Sequence, residues 1–98
     1  MELDLGQIRQ ELDTIDKEMI ALFSRRMGLV SQVAAYKKEK NMPILDSGRE
    51  AQILEKVGRE AGEELAEYAK TMYQTLLQVS KAYQAKILQR PENEEGRT

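Results

Sequence analysis

The chain has 98 residues, a formal net charge of -2, and neither histidine nor cysteine, and this length fits one small domain. Without imidazole or thiol groups, zinc centres and thiol chemistry are excluded, and the intermixed charges offer no broad basic field for nucleic acid or an anionic membrane. The acidic amino terminus predicts no signal peptide, and no apolar run is long enough to span a bilayer. We therefore expect a cytoplasmic protein with one all-α domain, because helix-forming residues predominate.

The first predicted helix begins at Leu5, from which apolar residues recur every three or four positions. The series is Leu5, Ile8, Leu12, Ile15, Met19, Leu22, Leu29, Val33 and Tyr36. This heptad seam extends over about 32 residues, or about 48 Å at the rise of an α-helix. The helix is predicted to end near Asn41 and Met42, because Pro43 biases the residue before it away from helical geometry.

Two shorter helices follow. The second starts near Ser47, which with Glu50 forms an S-x-x-E capping box, while Asp46 is an alternative cap. The glycines of GREAGEE are predicted to interrupt it. The third helix runs from about residue 64 to residue 89, with Leu65, Ala69, Met72, Tyr73, Leu76, Val79, Tyr83 and Ile87 facing inward. We assign residues 1–90 to the domain and residues 91–98, PENEEGRT, to a disordered tail.

The length of the first helix bears on assembly. The third helix covers only about 39 Å and has an apolar face of its own to bury, so the chain cannot cover its long seam by itself. We therefore predict an intertwined helical homodimer. The alternative is a monomeric three-helix bundle in which the first helix frays.

Arg26 occupies a position of the seam between Leu22 and Leu29. A buried charge is costly without a partner, so Arg26 predicts either an ion pair with a carboxylate, which is the commoner case, or an anionic ligand. Lys37 lies on the same face, because eleven residues make about three turns plus 20°. Together the two cations suit a small dianion, although Lys37 alone is more typical of a lysine that extends into water.

Other polar residues have both local and functional explanations. Arg9 is about 25 Å from Arg26 along the helix, so it reaches that site only from the other chain of an antiparallel dimer; otherwise it is an ordinary exposed charge. Arg49 is unfavourable near the positive end of the second helix, which hints at a carboxylate or ligand partner. Ser80 and Gln84 interrupt the inward face of the third helix and face either a pocket or an interhelical hydrogen bond.

The blocks IRQELDTIDKEMIALFSRRM, YKKEKNMPILDSGREAQIL and SKAYQ together resemble the small all-helical (type II) chorismate mutases over residues 5–89. Their order and spacing make the resemblance specific. It implies an intertwined dimer with two sites and the conversion of chorismate to prephenate in phenylalanine and tyrosine biosynthesis. The site residues so implied are Arg9 from the other chain, Arg26, Lys37, Asp46, Arg49, Glu50, Ser80 and Gln84.

The resemblance also implies roles. Arg26 and the partner's Arg9 would bind the substrate carboxylates, Lys37 and Gln84 would donate to the ether oxygen, and Glu50 would accept from the ring hydroxyl. Arg26, Lys37 and Gln84 would thus be catalytic. Neither cofactor nor metal is expected, since the rearrangement requires only orientation and charge stabilisation. Rival hypotheses are an isochorismate pyruvate-lyase and a non-catalytic helical module, and association with another shikimate-pathway enzyme stays open.

Overall fold

The computed structural model describes residues 2–89. In this part of the chain it contains three helices and no strand: α1 (Leu5–Glu39), α2 (Ser47–Ala61) and α3 (Ala66–Leu88). The prediction of an all-α chain with a long, a short and a medium helix is confirmed. The predicted disordered tail, residues 91–98, lies outside the described residues.

Local hydrogen bonds explain both ends of α1. The Asp4 side chain caps its start by accepting from two backbone N–H groups of the first turn. At the other end, Asn41 has a left-handed backbone with φ 56°. The Met42 N–H donates to the Lys37 carbonyl at 2.8 Å, and the Asn41 N–H donates to the Lys38 carbonyl at 3.3 Å. This is a Schellman turn, which ends the helix before Pro43 and folds the connector back towards α2.

The start of α2 shows which of the two proposed caps is used. The side chain of Asp46 accepts from the Arg49 backbone N–H at 3.0 Å, and Ser47 is the first helical residue. Asp46 is therefore the N-cap, which places its carboxylate and the Arg49 side chain at the same helix end.

The two glycines of GREAGEE behave differently from each other. Gly58 is buried inside α2, and a Cβ there would lie 2.5 Å from Cε of Lys70. Only Gly62 ends the helix, with a φ of 86°. The prediction that both glycines interrupt α2 is wrong for Gly58, because a glycine within a helix can serve close helix packing instead.

Helix α3 packs against both α1 and α2, whereas the backbones of α1 and α2 do not approach each other. The buried residues of α3 are Leu77, Ser80, Gln84 and Ile87. Leu65, Met72 and Val79, which the apolar pattern predicted to face inward, are exposed. The pattern also missed Leu77, which is buried, because only the positions of α3 that lie between α1 and α2 are covered within the chain.

The first half of α1 is poorly covered by its own chain, although its last turns, at Met19 and Phe23, line an apolar pocket together with α3. Every described residue up to position 25 is exposed, including most of the apolar seam. The chain measures 61 × 34 × 14 Å and has a radius of gyration of 17.7 Å, against about 13 Å for a compact domain of this length. Among residues 2–89, none of the helices has the apolar stretch that a transmembrane span requires.

Candidate active site

One cleft lies where α1, α3 and the start of α2 meet. Each helix contributes residues at the spacing i, i+3, i+4 and i+7, which share one face of a helix. The lining residues are Arg26, Leu29, Val30, Val33 and Lys37 of α1; Ile44 of the connector; Asp46, Arg49, Glu50 and Ile53; and Leu77, Ser80, Lys81 and Gln84 of α3. The volume is about 270 Å³, near the lower end of the range for small-molecule sites.

Seven of the eight predicted site residues line this cleft. They come from all three helices and are up to 58 positions apart in sequence, from residue 26 to residue 84. The exception is Arg9, which is exposed in the uncovered first half of α1. One chain therefore brings together every predicted site residue except the one that was expected from a second chain.

Arg26 has a neutral partner. Its Nη1 donates to the Ser80 hydroxyl at 3.0 Å, and that hydroxyl donates to the Leu76 carbonyl at 2.9 Å. None of the ion pairs formed within residues 2–89 involves Arg26. Within residues 2–89 of one chain, the ion-pair explanation for this arginine is therefore not supported, and Ser80 holds the guanidinium at the cleft without neutralising it.

Lys37 and Gln84 supply further donors. The Lys37 ammonium is half-buried and donates to the Ile44 carbonyl at 2.6 Å, which ties the connector to the end of α1. Gln84 is 7% exposed, and its buried amide oxygen has no hydrogen-bond partner among the described residues. Because buried polar groups are normally hydrogen-bonded, this unpaired amide oxygen is suited to a ligand group that donates, while the NH2 of the same side chain is the group that can donate to a ligand.

The two acidic residues of the cleft are held in different ways. Asp46 accepts from the backbone as the cap of α2, while Glu50 forms an ion pair with Lys81 of α3 at 3.1 Å. The Arg49 side chain makes no ion pair with residues 2–89. Its position at the start of α2 hinted at a carboxylate or ligand partner, and no carboxylate of the described residues has that role.

Lys81 is the polar residue of the cleft that the sequence analysis missed. The sequence does contain a signal for Lys81. It lies four positions after Leu77 and three before Gln84, and it therefore shares their helix face. With Lys81 included, the cleft has four cationic side chains and two anionic ones, a formal charge of +2.

These features define a class of protein. An all-helical chain presents a cationic cleft with hydrogen-bond donors but no histidine or cysteine, and within residues 2–89 no group of three or more potential ligand side chains could hold a metal ion. The charge and the donors of such a cleft are suited to a small anion. The family described as chorismate mutase type II matches residues 8–85, and the chain belongs to that family, as its motifs predicted.

Curated relatives include both short and long proteins. The chorismate mutase of Methanocaldococcus jannaschii is 29% identical over 91 residues, which cover 91% of this chain and 92% of that protein. The bifunctional chorismate mutase/prephenate dehydratase of Buchnera aphidicola is 33% identical over 85 residues, 84% of this chain and 22% of that protein. The T-protein of Haemophilus influenzae is 41% identical over 51 residues, 52% of this chain and 14% of that protein. No solved structure matches the chain.

Proposed function

We propose that this protein is a chorismate mutase, an isomerase that converts chorismate to prephenate. One observation carries the proposal: within residues 2–89, Arg26 forms a hydrogen bond to the neutral Ser80 hydroxyl and no ion pair, and it faces a cleft that also presents Lys37 and Gln84. An unneutralised guanidinium is well suited to a carboxylate, which it can bind through two parallel hydrogen bonds. Chorismate carries two carboxylates, and the formal charge of the cleft is opposite to theirs.

The reaction fits the chemistry of the cleft. The ether C–O bond of the enolpyruvyl group breaks while a C–C bond forms, so every atom stays in the product and no proton has to be transferred. The protein needs only to hold the reactive conformer and to stabilise the charge that develops on the ether oxygen. Lys37 and Gln84 donate to that oxygen. Their hydrogen bonds strengthen as the bond breaks and therefore favour the transition state over the substrate.

The remaining residues of the cleft orient the substrate and the catalytic groups. Glu50 accepts from the ring hydroxyl, and Asp46 and Arg49 form the adjoining wall at the start of α2. Ser80 acts through Arg26, because its hydroxyl accepts one guanidinium N–H and leaves the others for a carboxylate. Neither a cofactor nor a metal has a part in this reaction.

The active form is an intertwined homodimer in which Arg9 of one chain completes the cleft of the other. Two features support this assembly. The apolar seam is exposed over the first half of α1, and the radius of gyration exceeds that of a compact domain of equal length. A second copy that packs along the seam would bury these residues, and an antiparallel arrangement would carry Arg9 to the distant cleft.

The cellular setting follows from the same hypothesis. We expect the domain, residues 1–90, to act in the cytoplasm in phenylalanine and tyrosine biosynthesis. Association with another shikimate-pathway enzyme is consistent with relatives named as bifunctional chorismate mutase/prephenate dehydratases.

The test is the loss of chorismate. Purified protein is mixed with chorismate, the decay of ultraviolet absorbance is followed, and the product is identified; prephenate supports the proposal. Release of pyruvate from isochorismate at a higher rate would favour the lyase, and no turnover of either compound would favour a non-catalytic module. The family match and the names of the relatives favour neither rival.

A further inference from the structure

The α3 face that lines the cleft includes Lys81, to which the proposed reaction assigns no role. Its ammonium nitrogen lies 3.1 Å from Oε2 of Glu50 and 3.4 Å from Oε1, so it contacts both oxygens of that carboxylate. Both residues line the cleft. The ion pair therefore joins α3 to α2 at the wall of the site itself.

This ion pair differs from the others formed within residues 2–89. One of those joins two positions of α2 and another joins two positions of α3, and their side chains are 41–85% exposed. The side chains of Lys81 and Glu50 are only 32% and 24% exposed. Exposed pairs contribute little because water screens them, whereas partly buried charges are screened less. Of these three paired lysines, Lys81 is thus the one whose charge water screens least.

Lys81 changes the charge that a ligand meets. With Lys81 the cleft has a formal charge of +2, from four cations and two anions, and without it the charge would be +1. A bare Glu50 carboxylate in the cleft would repel a dianion, because like charges placed together at a binding site are unfavourable. Lys81 offsets that repulsion and still leaves acceptor positions open, since an ionised carboxylate has about four.

We infer that Lys81 is a positioning residue: its ammonium holds and neutralises the Glu50 carboxylate so that Glu50 can accept a hydrogen bond from a hydroxyl of a dianionic substrate. The inference rests on the proposed function. It also predicts a kinetic signature. A hydroxyl that takes no part in bond breaking is bound alike in the substrate and the transition state, so loss of this contact should raise KM more than it lowers kcat.

The experiment compares Lys81→Met, Lys81→Arg, Glu50→Gln and the double variant Glu50→Gln/Lys81→Met. We expect Lys81→Met to lower kcat/KM about tenfold, mainly through KM, and Lys81→Arg to restore it to within about threefold of the wild type, because arginine also pairs with carboxylates. In the Glu50→Gln background, Lys81→Met should cost less than about twofold, since residues that act through one another are not additive.

Lys70→Met is the matched control. Lys70 is also a lysine of α3 that is paired with a glutamate and lies against α2 at Gly58, but it does not line the cleft. Its substitution should leave kcat/KM unchanged. Melting temperature and helix content are measured for every variant, and Lys81→Gln replaces Lys81→Met under the same criteria if the latter does not fold.

Two outcomes would overturn the inference while the proposed function stands: a Lys81→Met enzyme that keeps wild-type kcat and KM, even with a lower melting temperature, or losses at Lys81 and Glu50 that multiply independently. The first would make Lys81 a tether between helices, and the second would mean that it does not act through Glu50. If the wild-type protein itself does not convert chorismate, the proposed function fails, and the role of Lys81 fails with it.

Discussion

The two halves of α1 share one heptad seam but have different surroundings. From Leu5 to residue 25 the seam is apolar at every position and exposed. From residue 26 to Glu39 the helix includes the fully buried Ala34, and two cations, Arg26 and Lys37, lie on the face that lines the cleft. The cations thus lie where the chain forms its cleft, and the uninterrupted apolar seam lies where the rest of the chain covers α1 least.

This difference teaches how one helix can serve two purposes. An apolar residue is stabilised by any well-packed neighbour, so the first half needs only a complementary surface. An arginine in a seam needs specific hydrogen-bond partners, and beside the second half of α1 these are provided by Ser80 of α3 and by an open cleft. The following predictions test this division, from the largest expected effect to the smallest.

The largest effect is expected from the cations of the second half. Arg26→Ala or Lys37→Ala should lower kcat/KM for chorismate by a factor on the order of 10²–10³, because each removes a charged donor aimed at the substrate. Initial rates over a range of chorismate concentrations measure the loss. Arg25→Ala and Lys40→Ala are controls, since neither residue lines the cleft, and near-normal turnover by the Arg26 or Lys37 variant would refute the assignment.

The second prediction joins the two halves. Arg9→Ala and Arg26→Ala chains should each be nearly inactive, yet a mixture of them should regain activity, because each heterodimer contains one cleft with both arginines intact. Activity is assayed after subunit exchange, with exchange confirmed by mass spectrometry of differently tagged chains. Absence of recovery despite confirmed exchange would show that Arg9 and Arg26 do not meet across chains.

The third prediction concerns the first half alone. Ile15→Glu should weaken the dimer by on the order of 10–100-fold for each substituted side chain, since burial of one isoleucine contributes about 1.5–3 kcal/mol. Sedimentation over a range of protein concentrations measures the change. Thr14→Glu is the control because it adds the same charge at an exposed neighbour outside the seam. A wild-type protein that stays monomeric at every concentration would exclude the dimer.

The smallest effect is expected at Ala34, where the second half of α1 packs against the rest of its own chain. Ala34→Leu should lower the free energy of unfolding by about 1–3 kcal/mol, because Ala34 has no exposed surface and a larger side chain would overpack it. The measurement is the urea unfolding midpoint and slope. Ala35→Leu, at an exposed neighbour, should change stability less; equal effects at both positions would mean that this contact is not tightly packed.

Sequence reasoning was most successful where the signal is local. The helix positions, the end of α1 near Asn41 and the shared face of Arg26 and Lys37 follow from periodicity and turn chemistry, which involve neighbouring residues only. It was least successful where a short segment allows two structures, such as two possible helix caps or two possible roles for a glycine. Both Ser47 and Asp46 can cap α2, and only the structure shows that Asp46 does so, by accepting from the Arg49 N–H. Gly58 was expected to interrupt α2 because the pattern does not reveal that Lys70 passes beside it.

The amino-acid sequence by itself determined the three helices, the family and the identity of seven residues that line the cleft, because helix periodicity and residue type are properties of short segments. Only the tertiary structure decided that Arg26 contacts a hydroxyl instead of a carboxylate, that Leu77 is buried while Met72 is exposed, and that Lys81 reaches Glu50. Each of these depends on how far apart two helices lie and how each is rotated, and the packing of the whole chain sets both.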